Sequence, residues 1–147
     1  MKTSRSTFVL LLAVLSAVPC FAHHMAVVVS KQNGVASLSS TQLSKIFRAE
    51  LRKWPDGKSI TLVLHRASMG ETTTLQHLNK MSAQQWHVWT AEHKDSVKVV
   101  DSDDEVLIYV ESMPGAVGLV EVRSVNDRVN IVRVDGKLPM EDGYLPH

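Results

Sequence analysis

From residue 26 onward, short apolar runs alternate with segments whose apolar residues recur every three or four positions. The runs, at 26–29, 60–65, 97–100, 116–120 and 129–134, read as strands. The run at 60–65 is apolar at nearly every residue, which predicts burial on both faces within a parallel sheet. The periodic segments read as helices. Leu43, Ile46, Phe47 and Leu51 share one face with Lys45, Arg48 and Arg52 turned away, and Ser39, Ser40 or Thr41 can cap it. A short helix carries Leu75, Leu78 and Met81, and the next starts at Ser82 and buries Trp86 and Trp89. In the last, Val106, Leu107, Val110 and Met113 fall together behind a cap at Asp101 or Ser102, and Pro114 and Gly115 stop it. Trp54-Pro55-Asp56-Gly57 reads as a tight turn and 135–147 as loop. Strands alternating with helices predict an α/β domain with a mostly parallel sheet flanked by helices.

The first 22 residues follow another pattern. Lys2 and Arg5 precede an apolar run from Phe8 to Val18, then Pro19, Cys20, Phe21 and Ala22. This is the layout of a secretory signal peptide cleaved after Ala22, and the run is too short to span a bilayer. A lipoprotein anchor at Cys20 is the rival reading, but Pro19 stands where a lipobox has a small residue. The expected division is therefore a signal peptide at 1–22 and one domain at 23–147, located in the periplasm, with no direct membrane insertion after cleavage.

Cleavage would leave 125 of the 147 residues, room for a single lobe with a real core. Lys2 and Arg5 leave with the leader, so 14 of the 16 basic residues remain against all 15 acidic ones. This balance offers no basic footprint for nucleic acid or an anionic membrane. Cys20 is the one cysteine, so no disulfide staples the mature chain.

The segment with the most chemistry is 66–74, Arg-Ala-Ser-Met-Gly-Glu-Thr-Thr-Thr, a polar loop between a strand and a helix. The first turn of a helix leaves N–H groups unpaired and carries partial positive charge. Hydroxyls of Ser68, Thr72 and Thr73 can add donors, and Arg66 a charge-assisted pair, so the loop can hold an oxyanion. Ser and Thr at a helix start are equally ordinary caps, and that reading stays open.

Several segments together resemble one family. Leu38, Leu43, Ile46-Phe47-Arg48 and Trp54-Pro55-Asp56-Gly57 before Ile60 resemble the leucine-bearing helix, "IF.G" and "W.DG" stretches of phosphate-binding periplasmic proteins of ABC transporters. The loop after Arg66, the helix with Gln85-Trp86 and Trp89, and Pro114-Gly115-Ala116-Val117-Gly118 follow in matching order, so the resemblance covers 27–122. It implies a single periplasmic-binding-protein-like lobe, where full-length members have two. Gly70-Glu71-Thr72 stands where the family has Ser-Gly-Thr, so Arg66, Ser68, Gly70, Thr72 and Thr73 become the candidate oxyanion-binding residues. The implied partners are phosphate or a similar oxyanion and a membrane transporter or sensor. Three positions depart from the pattern: Ala49 for the glycine of "IF.G", Leu119 for a tyrosine, and Glu71, whose carboxylate would repel an anion. The alternative they favour is a ligand-free lobe that partners a membrane sensor or transporter.

The remaining constellations carry less. A mature terminus beginning His23-His24-Met25 has the donors of a copper chelate, but no second histidine pair lies nearby. His65, His77, His87 and His93 make no zinc pattern. Trp86 and Trp89 at helical spacing read as core, and Asp101, Asp103, Asp104 and Glu105 as acids at a helix start rather than a calcium loop. No nucleophile elbow, metalloprotease helix, P-loop or dinucleotide fingerprint is present, so a binding or signalling role without a cofactor is expected rather than an enzyme.

Overall fold

The computed structural model describes residues 24–146; the expected signal peptide, Cys20 and His23 lie outside them. The elements run β1 (Met25–Ser30), β2 (Ser37–Leu38), α1 (Ser40–Phe47), β3 (Thr61–His65), α2 (Met69–Asn79), α3 (Ala83–Glu92), β4 (Val97–Val100), α4 (Asp103–Ser112), β5 (Ala116–Glu121), β6 (Val129–Ile131) and β7 (Arg133–Val134). Five strands form one sheet in the order β4-β3-β5-β1-β6, and β2 and β7 make a two-stranded parallel pair beside it. β3 pairs parallel with β4 and β5, while β1 runs antiparallel to β5 and β6. Four of the five strands thus point one way, as the mostly parallel sheet required.

Alternation along β1 separates the two faces of the sheet. Val27 and Val29 join Leu43, Phe47, Leu75 and Trp86 in one core beneath α1, α2 and α3. Ala26 and Val28 join Val106, Leu107 and Val110 in a second core beneath α4. Every residue of β1 is buried, and so are the three central residues of β3. Full burial of a valine or leucine side chain contributes about 1.5–3 kcal/mol, so these double-faced strands hold the layers together.

Two of the sequence segments that carry the family likeness turn out to touch. Trp54 to Gly57 closes as a turn, with the Gly57 N–H donating to Trp54 O at 2.9 Å, and the indole of Trp54 donates to Gly115 O at 3.0 Å. A Cβ on Gly115 would lie 2.1 Å from Ser59 O, so only glycine lets the two loops approach this closely.

α1 starts with a reciprocal cap: Ser39 Oγ accepts the Gln42 N–H and Gln42 Oε1 accepts the Ser39 N–H. It ends in a Schellman motif, with Glu50 N–H to Lys45 O at 2.9 Å and Ala49 N–H to Ile46 O at 3.0 Å. Ala49 therefore takes a left-handed conformation, φ +55°, where the family pattern has glycine. Leu51 lies past the end of the helix and still packs against the core.

The run at 129–134 is not one strand, and the tail is not a free loop. Val132 N–H donates to Val27 O at 2.9 Å. The reciprocal bond is replaced by the Tyr144 hydroxyl, which accepts the Val27 N–H at 3.1 Å and donates to Val132 O at 2.5 Å. A tail side chain is thereby inserted into the ladder, which divides β6 from β7 and buries Tyr144 and Leu145. Burial pushes the Tyr144 phenol up to about 12.

Two stability measurements check these points. Ala49→Gly relieves a left-handed alanine at the cost of a more flexible unfolded chain, and should raise the urea midpoint by a net gain of about 0.5–1 kcal/mol. Tyr144→Phe leaves the buried Val27 N–H without an acceptor and should cost about 1–3 kcal/mol with an unchanged denaturant slope.

Candidate functional site

The loop after β3 is fastened by its own backbone. Arg66 N–H donates to Val100 O at 2.9 Å and Ser68 N–H to His65 O at 3.1 Å, which brings the chain round to start α2. Ser68 caps that helix, its hydroxyl accepting the Glu71 N–H at 3.1 Å. Ser68-Met69-Gly70-Glu71 has the spacing of a capping box, in which the glutamate returns to the N–H of the cap residue. Here that N–H is already given to His65 O, so the carboxylate bends to the His65 N–H instead, at 3.0 and 3.1 Å from its two oxygens.

Glu71 is only 3% exposed. Loss of hydration pushes its carboxyl well above the ordinary carboxylate value, the His65 N–H opposes that shift, and the nearby Asp103 charge adds to it. The carboxylate expected to face a bound anion is thus turned inward to join α2 to β3. The Ser-x-x-Glu spacing was the signal for this role, and it is visible in the sequence.

Beyond it, the His65 ring Nδ1 donates to Asp103 Oδ1 at 2.9 Å. The other Asp103 oxygen accepts from the Glu121 N–H at 3.0 Å and the Ser124 hydroxyl at 2.7 Å. One carboxylate at the start of α4 therefore gathers the carboxyl ends of β3 and β5. Neither His65 nor Asp103 stood out in the sequence, because their meeting depends on a separation of 38 residues that only the sheet closes.

The candidate residues divide between two cavities at this end of the sheet. Ser68 lines a cavity of about 380 Å³ together with His65, Asp101, Asp103, Glu121 and Arg123. It is rich in carboxylates, although Arg123 pairs with Glu121 and Arg66 approaches Asp101 at 3.6 Å. Arg66 and Thr72 line the neighbouring cavity of about 490 Å³, which Trp86 and His87 border from α3 and Lys94 from the turn after it. The Arg66 side chain is 69% exposed. Gly70 is buried in the first turn of α2, and Thr73 is exposed on α2 and lines neither cavity. The loop brings Arg66, Gly70 and Thr72 to one helix end, but not all five candidates around one point.

Of the copper pair, His24 alone is described; it is half-buried and its carbonyl accepts the Val122 N–H at 2.8 Å. Among the described residues, no group of three His, Cys, Asp or Glu side chains can hold a metal ion. Trp86 is buried and stacks on Trp89 at 4.9 Å, as core packing required, and Trp89 stacks in turn on His93 at 4.2 Å. Ser102 caps α4, with Asp103, Asp104 and Glu105 in its first turn.

A three-layer α/β lobe with a polar crevice beyond the carboxyl ends of its strands is a ligand-binding architecture. A family profile described as a PBP superfamily domain matches residues 14–142, and the chain belongs to that family. No curated protein matches the sequence. Among solved structures, the chain is similar to an ABC-type phosphate transport receptor from Vibrio cholerae, at 21% identity and a TM-score of 0.64 over 80% of this chain and 48% of that one. It is similar to a putative phosphate ABC transporter substrate-binding protein with bound phosphate from Clostridium perfringens, at 22% identity and a TM-score of 0.65 over 79% and 46%. A phosphate binding protein from Stenotrophomonas maltophilia gives 16% identity and a TM-score of 0.66 over 80% and 40%. The chain thus spans about half or less of the length of these proteins.

The position of Glu71 has a pH consequence. Its raised value means that the folded chain keeps a proton the unfolded chain releases, so stability falls as pH rises from the ordinary value of 4.5 towards the raised one. Glu71→Gln should flatten that slope in urea unfolding curves measured across the interval. Parallel slopes for the two proteins would place the carboxylate in water.

Proposed function

We propose that this chain is an exported substrate-binding lobe that holds phosphate or a similar oxyanion at the amino end of α2, for a membrane transporter or sensor. The observation that carries the reading is Arg66, a largely exposed guanidinium beside the first turn of an 11-residue helix at the carboxyl end of β3. The N–H groups of Met69 and Gly70 lie in that first turn, where a helix provides no internal acceptor. With Glu71 turned inward, its carboxylate does not stand between them and an anion. The three similar structures are all named for phosphate transport or binding, and residues 1–22 supply the expected route to the periplasm.

A half-site of this kind leaves one side of the anion in water. Several exposed charge-assisted contacts add up to about 4 kcal/mol, which is millimolar affinity. Tighter binding requires a second body over the crevice, the place a second lobe would take.

A second reading has its own support. Ser68 lines a crevice with three carboxylates, and Arg66 already has Asp101 beside it. Both facts favour a ligand-free lobe that docks on a membrane sensor or transporter.

Amide NMR titration separates the two. Phosphate should produce saturable shifts at 66–74 in the millimolar range that chloride does not reproduce, and Arg66→Ala should weaken them at least about fivefold, about 1 kcal/mol for one exposed charged contact. Flat spectra, or equal shifts with chloride, would leave the docking module as the reading.

A further inference from the structure

The helices on the two faces of the sheet sit differently. α4 buries Val106, Leu107 and Val110, whereas α3 buries Trp86 alone. α3 lies over the β3–β4 edge, and β4 is an outer strand. The space between them is the cavity of about 490 Å³ that Arg66 and Thr72 also line. Its floor is apolar: Leu64 of β3 pairs with Val99 of β4, and Val97 lies two residues before Val99 on the same strand face. Trp86 borders it from α3.

Its rim carries Arg66 and Lys94 as cations. Arg66, His87 and Lys94 line it, all three are exposed, and among the described residues no carboxylate pairs with Lys94. Glu71 is the one carboxylate on the lining, and both its oxygens are turned to the His65 N–H. An apolar floor of this size with a few polar groups on its rim is the form of a small-molecule site. Inorganic phosphate seated at Arg66 would leave most of that volume to water against valine, leucine and tryptophan.

We infer that the cavity beneath α3 takes the organic part of a soluble aromatic phosphomonoester whose phosphoryl group sits at Arg66 and the first turn of α2. The inference rests on the oxyanion reading and adds the substrate class. Arg66 meets the charge of the phosphoryl group, and the ring lies on the Leu64, Val97 and Val99 floor beside the Trp86 indole, with Lys94 at the far end of the cavity, before β4.

The test compares phenyl phosphate, inorganic phosphate and benzyl alcohol by NMR titration of the protein in the form the cell accumulates, following the 66–74 amides and the Trp86 indole N–H. Phenyl phosphate should bind at least about tenfold tighter than inorganic phosphate and shift Trp86, Val97 and Val99. Ala91 is exposed on α3 and lines the same cavity, so Ala91→Phe should fill it without disturbing the core, abolishing that advantage while leaving inorganic phosphate unchanged. Equal affinities for the two phosphates, with shifts confined to 66–74, would overturn the aromatic ester and leave the oxyanion reading standing. Benzyl alcohol binding as well as phenyl phosphate would overturn the role of the cationic rim. Binding of none of the three would overturn both readings.

Discussion

The site end of this lobe depends on one buried carboxylate, Glu71, which ties the first turn of α2 to the last residue of β3. Its two oxygens take the His65 N–H while its own N–H is capped by Ser68, so strand and helix are joined through a single side chain. A strand-to-helix loop needs such a fastening because both the strand end and the helix start carry donors that cannot be left dry. The cost is a carboxylate taken out of water, and its upward-shifted pKa is the expression of that cost. Asp103 repeats the device one strand further on, where it collects the His65 ring, the Glu121 N–H and the Ser124 hydroxyl.

The consequence for function is an exposed Arg66 beside a helix start whose own acid faces inward. Glu71 interrupts the family's Ser-Gly-Thr pattern and so looks like the loss of an anion site when only residue types are considered. In three dimensions the substitution is structural, since a side chain at the third helical position can fold back beneath the loop. The crevice beside Ser68 nonetheless carries three carboxylates. On the proposed oxyanion reading, phosphate would therefore meet a weaker half-site than two lobes closing over it provide.

The layers of the fold were legible because each rests on a local rhythm. The strand at 60–65 announced burial on both faces through its nearly unbroken apolar run, and three helix starts were readable from capping residues before apolar periodicity, the fold choosing Ser39 over Ser40 and Thr41, and Ser102 over Asp101, beside Ser82. What stayed hidden depends on long-range geometry. Tyr144 enters the ladder between Val27 and Val132 from a segment with no periodicity of its own, and the two-residue β2 exists only because β7 lies alongside. The same holds at the site: Arg66, Gly70 and Thr72 came from the loop pattern, whereas the His65–Asp103 contact and the cavity under α3 arise from elements far apart in the chain. Ala49 marks the opposite case, where the resemblance already pointed at a glycine position and the left-handed backbone supplies the physical reason.

Everything at the site turns on the direction in which Glu71 points when an anion is present, and a crystal structure at high resolution from crystals soaked in phosphate measures that directly. Density for the anion is expected beside Arg66 and the first turn of α2, with the Glu71 carboxylate still within hydrogen-bond distance of the His65 N–H. Glu71 swung out into the crevice, with no anion at the helix start, would contradict this expectation.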